Sequence, residues 1–539
     1  APYSNIPEVS ISNVGYYGAY PFDRTYNTKR TQFQENLSYV TPIFQVKGGF
    51  DYNSIDVSEF FAGTWQGMYS FSTLDNFRAG KWTYYRQNFG LSAPVQQAGL
   101  FDTTTKQMAA YIQTDWRVSD ALKINLGVRW DRQQNPDYPI LDMSNPLAAS
   151  MPVTAKIPND SQFSPRFSFT YTPGFDAGKS VVRGSLGRYV STTPAVFLYQ
   201  VFAANGKRTG SVDFQAGTNG ATAAVYGIPY GAAFNPATPY WMATIPTGAA
   251  LPKFNIWSFS QNFKNPYTDR ANLAVERSFD ALLLGLSATY AKGNQLERTQ
   301  DLNTGNPTLN AATGRLMYPA RPNTVYGTEG QYVSDATSLY HAYTLSAKYH
   351  KEDSPLEASL YYTYSINKDT DSNERNYSGI TTQDGSLIGK EWAYGDTDRR
   401  NSVTGYVSFH ERKLTGILTS LAFRYTSGAP YSLVYSKDVN GDQNSSNDRF
   451  FNGGMDSGRN SQRRASVTTV DLALRKDFNI VRKVKFTLSA DVFNLLNKKN
   501  TYVRSAVAGS STDAVPTLQG INSYEGAPRQ VQVGARIAF

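Results

Sequence analysis

Val531-Gln532-Val533-Gly534-Ala535-Arg536-Ile537-Ala538-Phe539 places an apolar side chain at every odd position and finishes on an aromatic residue. Side chains of a strand alternate between its two faces. Val531, Val533, Ala535, Ile537 and Phe539 therefore form one oily stripe, while Gln532 and Arg536 point the other way. The pattern predicts a half-apolar strand, and its place in the chain predicts the closing strand of a β-barrel.

The same split recurs upstream. Val484, Phe486, Leu488, Ala490 and Val492 alternate with Lys485, Thr487, Ser489 and Asp491. Leu356, Ala358, Leu360, Tyr362 and Tyr364 alternate with Glu357, Ser359, Tyr361 and Thr363. Phe163, Phe167, Phe169 and Tyr171 oppose Ser164, Arg166, Ser168 and Thr170, and Leu122, Ile124, Leu126, Val128 and Trp130 oppose Lys123, Asn125, Gly127, Arg129 and Asp131. A soluble sandwich shows this alternation too, with its apolar face turned to a core. Alternation alone leaves both folds open.

The connections separate them. The short turn Val118-Ser119-Asp120-Ala121 is followed by a long segment from about Gln133 to Ser161. Further short turns are predicted near Pro173 to Lys179, Phe279 to Leu282, Lys351 to Pro355, Glu411 to Gly416 and Asp477 to Lys483, all on one end. Long loops rich in Gly, Pro, Asn and Thr fall on the other end, the largest from about Ser191 to Asn265. Membrane barrels sort their loops this way, and sandwiches and propellers have no reason to. The expected fold is therefore all-β, a transmembrane antiparallel β-barrel with about fifteen strands in this chain. The first strand, around Thr31 to Val40, would run away from the long-loop end. An odd count leaves such a barrel incomplete, so residues 1–539 read as the C-terminal portion of a larger one.

Composition agrees. Aromatic residues make up 14% of the 539, with 37 Tyr and 30 Phe, and charged residues only 18%. That Tyr content suits rings seated at the boundary between oil and water. The longest aliphatic run, Ala281-Leu282-Leu283-Leu284-Gly285-Leu286, is far shorter than a membrane helix needs. Cysteine is absent, which excludes disulfides and thiolate metal sites. The net charge of +9 is spread without a basic run, and no nucleic-acid partner is expected. Ala1-Pro2-Tyr3-Ser4-Asn5 lacks the basic start and apolar core of a signal peptide.

Several segments resemble the barrel of TonB-dependent outer-membrane receptors, and within them the Oar-like group. They are Ala110-Tyr111-Ile112-Gln113-Thr114-Asp115-Trp116-Arg117 with Leu126-Gly127-Val128-Arg129-Trp130-Asp131, then Ser164-Pro165-Arg166-Phe167, Arg183-Gly184-Ser185-Leu186-Gly187-Arg188-Tyr189, and Asp491-Val492-Phe493-Asn494-Leu495-Leu496-Asn497. The terminal strand also resembles the signal by which such proteins are recognised for assembly. The resemblance implies a 22-stranded barrel, an N-terminal plug, and a segment that binds TonB. It implies a Gram-negative outer membrane with lipid and lipopolysaccharide around the wall, long loops outside and short turns in the periplasm. Energised uptake of a ligand captured by the loops would be the function. The plug, the TonB-binding segment and the first strands are not recognisable in this chain. A passive porin and a structural or adhesive surface protein are the alternatives.

Asp438-Val439-Asn440-Gly441-Asp442-Gln443-Asn444, followed by Asn447-Asp448-Arg449, is the most chemical-looking stretch. Oxygen ligands at every second position can wrap a hard cation, which makes Asp438, Asn440, Asp442, Asn444 and Asp448 candidate calcium ligands. Gly441 stands fourth rather than sixth, and Arg449 stands where an EF-hand has its bidentate Glu, so this is no EF-hand. Similar segments occur in Oar-like sequences. A polar loop closed by Asx-turns is the competing reading. Gly174-Phe175-Asp176-Ala177-Gly178-Lys179-Ser180 mimics a phosphate loop but is too short and joins two strands, so it reads as a turn. Asp396, Asp398, Arg399 and Arg400 read as surface ion pairs rather than acid–base catalysts. No His lies near a Ser in a nucleophile pattern, and no enzyme activity is expected. Arg129, Asp131, Arg166, Arg424, Lys485 and Asp491 should face the lumen. Tyr226, Tyr230, Phe234, Tyr240, Trp241 and Met242 make one long loop unusually aromatic, for ligand capture or for packing over the mouth.

Overall fold

The computed structural model describes residues 7–18, 24–61, 63–91, 93–136, 153–154, 157–215, 253, 255–312, 314–372, 379–411, 413, 415–435, 437–444, 447–452, 455–456, 458–481, 484–502, 506–508, 523–524 and 526–539. Among the described residues fifteen long strands form one antiparallel meander, each hydrogen-bonded to the next in sequence. They are β1 (Arg24–Val40), β2 (Phe44–Phe61), β3 (Leu100–Arg117), β4 (Leu122–Gln134), β5 (Asp160–Tyr171), β6 (Ser180–Val190), β7 (Tyr267–Phe279) and β8 (Leu282–Asp301). The second half comprises β9 (Glu329–His350), β10 (Leu356–Asp369), β11 (Asn401–His410), β12 (Ile417–Thr426), β13 (Val467–Val481), β14 (Val484–Phe493) and β15 (Gln530–Ala538).

Register shows which face is oily. Residues opposite one another across a ladder share a face. The row Val531, Val492, Leu472, Leu421, Val407 and Ala358 is joined rung by rung through β15, β14, β13, β12, β11 and β10. Among the described residues no second sheet covers this face. Val533 is 75% exposed and Ile537 59%, and Leu126, Leu273, Leu286, Leu345 and Leu360 on other strands are exposed as well. That settles the choice alternation left open, because a sandwich would have buried these side chains. Two aromatic belts bound the stripe. Tyr267, Tyr290, Tyr343, Tyr364 and Tyr425 lie toward the long loops, and Trp116, Tyr171, Phe279, Tyr349 and Phe409 toward the short turns.

Connections of 41–43, 118–121, 172–179, 280–281, 351–355, 411–416 and 482–483 alternate strictly with long ones of 62–99, 135–159, 191–266, 302–328, 370–400, 427–466 and 494–529. The Gly174–Asp176 segment is a single 3-10 turn between β5 and β6 with Ala177 at φ 56, which leaves no helix for a phosphate loop. Residues 482–483 fall outside the described residues.

No ladder joins β1 to β15 among the described residues, so the sheet is open. Every residue of β1 is exposed. Both edge strands run toward the short-turn end.

Strands β1, β2, β3, β8 and β9 are longer than the ten or so residues their alternation predicts. Beyond the belt at Tyr290 and His341, β8 and β9 continue to Asp301 and Glu329, where Leu296, Glu297, Arg298 and Thr299 are all buried. Two-faced burial there erases the apolar/polar alternation that marks a strand in sequence.

The long loops build cores of their own. A five-stranded sheet orders Thr209–Gln215, Tyr84–Gly90, Met68–Phe71, Glu8–Ile11 and Gly15–Gly18, and packs Val9, Phe71, Trp82, Tyr85, Phe89 and Phe214 together. Helices α1 (Leu74–Arg78) and α2 (Val95–Ala98) belong to the first long loop. A third helix, α3 (Ala195–Ala203), buries Phe197, Leu198 and Tyr199 against Phe101, Trp257, Phe259 and Tyr332. These loop segments thus pack against one another. Tyr226, Tyr230, Phe234, Tyr240, Trp241 and Met242 lie outside the described residues.

Candidate functional site

On the long-loop side a polar cavity of about 590 Å³ opens among three loops. Asp301 and Thr304 line one wall, Gly379, Thr382 and Gln383 a second, and Asp442, Gln443 and Asn444 a third, with Trp257 beneath. A larger groove of about 820 Å³ runs along the wall over Ile112, Leu126, Val128, Leu186 and Tyr290. Those are members of the exposed apolar stripe, so that groove belongs with lipid.

Arg321 ties the cavity together. Its guanidinium donates to Asp301 Oδ2 at 2.7 Å, to the Gly327 carbonyl at 2.7 Å, to Gln443 Oε1 at 2.8 Å and to the Asp442 carbonyl at 3.3 Å. Below it, Arg449 makes a bidentate ion pair with Glu391 at 2.9 and 2.7 Å, both side chains buried. Asp398 is buried too, not a surface group as its sequence context suggests. It pairs with Arg463 and accepts from the Asn367 N–H at 2.7 Å, while Asp396 accepts from Asn460 Nδ2 at 2.7 Å. These carboxylates pin loops to one another.

The acidic loop forms one side of the cavity. Asp438 accepts from the Gly441 N–H at 2.7 Å and the Gln443 N–H at 2.8 Å, which closes the loop around Gly441 at φ +86. A side chain on Gly441 would meet the Tyr318 carbonyl at 2.8 Å. The Tyr318 N–H donates to the Asn440 carbonyl at 2.7 Å.

Of the five candidate ligands, the fold brings Asp438, Asp442 and Asp448 to one centre, each offering a carboxylate oxygen within 4.8 Å of the others. Asn440 and Asn444 do other work. Asn440 Oδ1 accepts from the Asp442 N–H at 2.9 Å, and Asn444 Nδ2 donates to the Ile380 carbonyl at 2.8 Å. A residue absent from the predicted ligands joins them. Asn447 Nδ2 donates to Asp442 Oδ2 at 2.9 Å and to the Thr382 carbonyl at 3.0 Å, while its Oδ1 is buried without a hydrogen-bond partner. The only signal in sequence is its place beside Asp448.

Asp448 is fully buried. Burial pushes its carboxyl up to about 6, and the Asp442 and Asp438 charges add to the shift. Asp442 is raised by burial as well, and burial raises the Tyr318 hydroxyl beside them. Three acids are held together here, with the Arg315 charge opposing the upward shift of Asp448.

The face of the sheet opposite the oily row carries Arg129, Asp131, Arg166, Arg424, Lys485 and Asp491. Arg129 Nε donates to Asp131 Oδ1 at 2.8 Å, Lys485 pairs with Asp477 at 2.7 Å, and Arg166 stacks over Tyr189.

In fold the chain is similar to the outer membrane transporter YddB from Escherichia coli, with TM-score 0.56 and 13% identity over 98% of this chain and 57% of that one. It is also similar to the FrpB iron transporter from Neisseria meningitidis (F3-3 variant), with TM-score 0.50 and 14% identity over 97% of this chain and 55% of that one. The chain therefore spans somewhat over half the length of these structures. No match was found among curated proteins. Residues 1–456 match the outer membrane beta barrel domain. With that match over most of its length, and with an open meander oily on its outer face, the chain belongs to the outer membrane beta-barrel domain family.

Proposed function

We propose that this chain forms most of the barrel of a TonB-dependent receptor of the Oar-like group, which captures a ligand at the long loops and admits it under energy from TonB. The carrying observation is the one-sided polar cavity of about 590 Å³, walled by loops that buried ion pairs hold in place. Capture sites need fixed polar groups in a concave surface, and this end of the molecule supplies them. On this reading the long loops are extracellular and the short turns periplasmic.

The open edges support a larger barrel. Unpaired N–H and C=O groups cost several kcal/mol each in lipid, about the cost of a lost hydrogen bond with no water to replace it. Direct pairing of β1 with β15 would be parallel, which bacterial barrels avoid. Seven further strands would restore antiparallel closure at 22. These strands, a plug and the TonB-contacting segment would precede β1 in the natural protein.

A passive porin shares the wall but needs neither plug nor energy, and an adhesin needs no path through it. Uptake of labelled candidate ligands into cells, with and without TonB, tests the proposal. Loss of uptake without TonB supports it. Uptake that persists without TonB favours the porin, and surface binding without any uptake favours the adhesin.

A further inference from the structure

We propose that Asp438, Asp442 and Asp448, completed by the side-chain carbonyl of Asn447, hold one calcium ion that staples the cavity loops together. The site stands whether or not the protein transports anything. Its first support is geometric. Three carboxylates from a short stretch offer oxygens within 4.8 Å of one another, which matches the span of ligands around a cation bonded at about 2.3 to 2.6 Å.

The second support is independent of the clustering. Asp448 and Asn447 are 0% and 4% exposed, and Oδ1 of each is buried without a hydrogen-bond partner. A buried carboxylate oxygen left unpaired costs far more than one that meets a cation. The Asn447 amide is oriented by its own donations to Asp442 and Thr382, so its free oxygen is the one left for a ligand. All donors are hard oxygens, three of them charged, and none is His or Cys. Such a set selects calcium over zinc or copper.

The ion's effect follows from what its ligands touch. Asn447 bonds the Thr382 carbonyl, Asn444 the Ile380 carbonyl, and the Asn440 carbonyl holds Tyr318. Neutralising three like charges at this point would draw the 427–466 loop against the other two loops around the cavity.

The test uses the natural protein extracted from outer membranes, stripped with chelator and titrated with calcium alone. Bound calcium is counted by equilibrium dialysis, and hydrogen exchange is followed by residue. Wild type should bind one more calcium than Asp448→Asn, with calcium-dependent protection confined to 379–385 and 438–444. Asp448→Asn and Asp442→Asn should each weaken that binding by about tenfold or more, as expected when ligand charge falls. Asp280→Asn, in the β7–β8 turn, should bind as wild type does. Wild type that gains no protection in these segments on adding calcium overturns the proposal, even should the variants fail to fold. Variants that fold and bind calcium with wild-type stoichiometry and affinity overturn it equally.

Discussion

The wall and the loop assembly are built on opposite chemistry. In the wall every strand pairs with its sequence neighbour, backbone bonds are local in topology, and the outer side chains are exposed apolar groups such as Val533 and Leu286. In the loop assembly the bonds run between segments far apart in sequence, and many of them are ionic: Arg321 with Asp301, Arg449 with Glu391, Arg463 with Asp398. Lipid stabilises the first by surrounding it. The second has no lipid and must stabilise itself by burying paired charges, which holds only while every partner is present.

The largest expected effect comes from removing one such partner. Arg449→Met leaves Glu391, 1% exposed, without its bidentate cation, and breaking a buried pair from one side costs about 3 to 5 kcal/mol. Limited proteolysis should then cut the loops readily while heat-modifiable migration of the barrel stays normal. Adding Glu391→Leu should recover much of the protection, because an apolar pair carries no stranded charge. Equal protease resistance in wild type and Arg449→Met would show that the ion pair holds nothing.

Next is a charge on the wall. Val533→Arg puts a guanidinium on the lipid face, at about 2 to 4 kcal/mol near the midplane. Gln532→Arg, one residue earlier and facing the lumen, should cost little. The pair tests facing directly, through the fraction of each variant recovered as folded barrel in membranes. Equal recovery of the two would contradict the assigned faces.

These two regions also differ in how much of them sequence reveals. Leu122 to Asp131 announces a strand because one face must be oily and the other wet, and that rule acts residue by residue. Counting such segments reaches about fifteen, and the meander has fifteen long strands among the described residues. The acidic loop is half legible. Asp438, Asp442 and Asp448 are visible from spacing alone, since a tight turn returns alternate side chains to one centre. Tyr318, Arg321, Thr382 and Glu391 are not, because they come from other loops and only the pairing of the strands beneath brings those loops side by side. The buried helix α3 and the five-stranded sheet escaped for a related reason. Their apolar residues face a local core built from several loops, so no single segment shows a period.

A pH effect should appear in the assembly alone. Glu329 lies beyond the aromatic belt on the long-loop side, 4% exposed, and burial pushes its carboxyl up to about 7, with the Asp301 charge adding to the shift against the Asn323 hydrogen bond. A raised carboxyl means the folded state holds the proton more tightly. Its contribution is fully present below the ordinary value of 4.5 and is lost as pH rises through about 7. Hydrogen exchange near 323–329 should therefore speed up between pH 5 and pH 8 beyond its intrinsic rise, by at most about 1.4 kcal/mol per pH unit. Glu329→Gln should flatten that excess. Equal excess slopes in both proteins would remove Glu329 as the cause.

The smallest effect sets a turn in the assembly against a turn in the wall. Gly441 at φ +86 and Gly416 at φ +65 both occupy the left-handed region, where a Cβ costs about 1 to 2 kcal/mol. Gly416→Ala, in the β11–β12 turn, meets nothing within 4 Å and should show that backbone cost alone. At Gly441 the new methyl would lie 2.8 Å from the Tyr318 carbonyl, a backbone atom held by the neighbouring bond from Tyr318 N–H to the Asn440 carbonyl at 2.7 Å. Neither side can yield without loosening that bond. Gly441→Ala should thus cost more than Gly416→Ala by up to about 1 kcal/mol, the worth of one net hydrogen bond. Hydrogen exchange at the Tyr318 amide reports that bond directly. If the Tyr318 amide exchanges no faster in Gly441→Ala, the close approach between the two loops does not exist in solution.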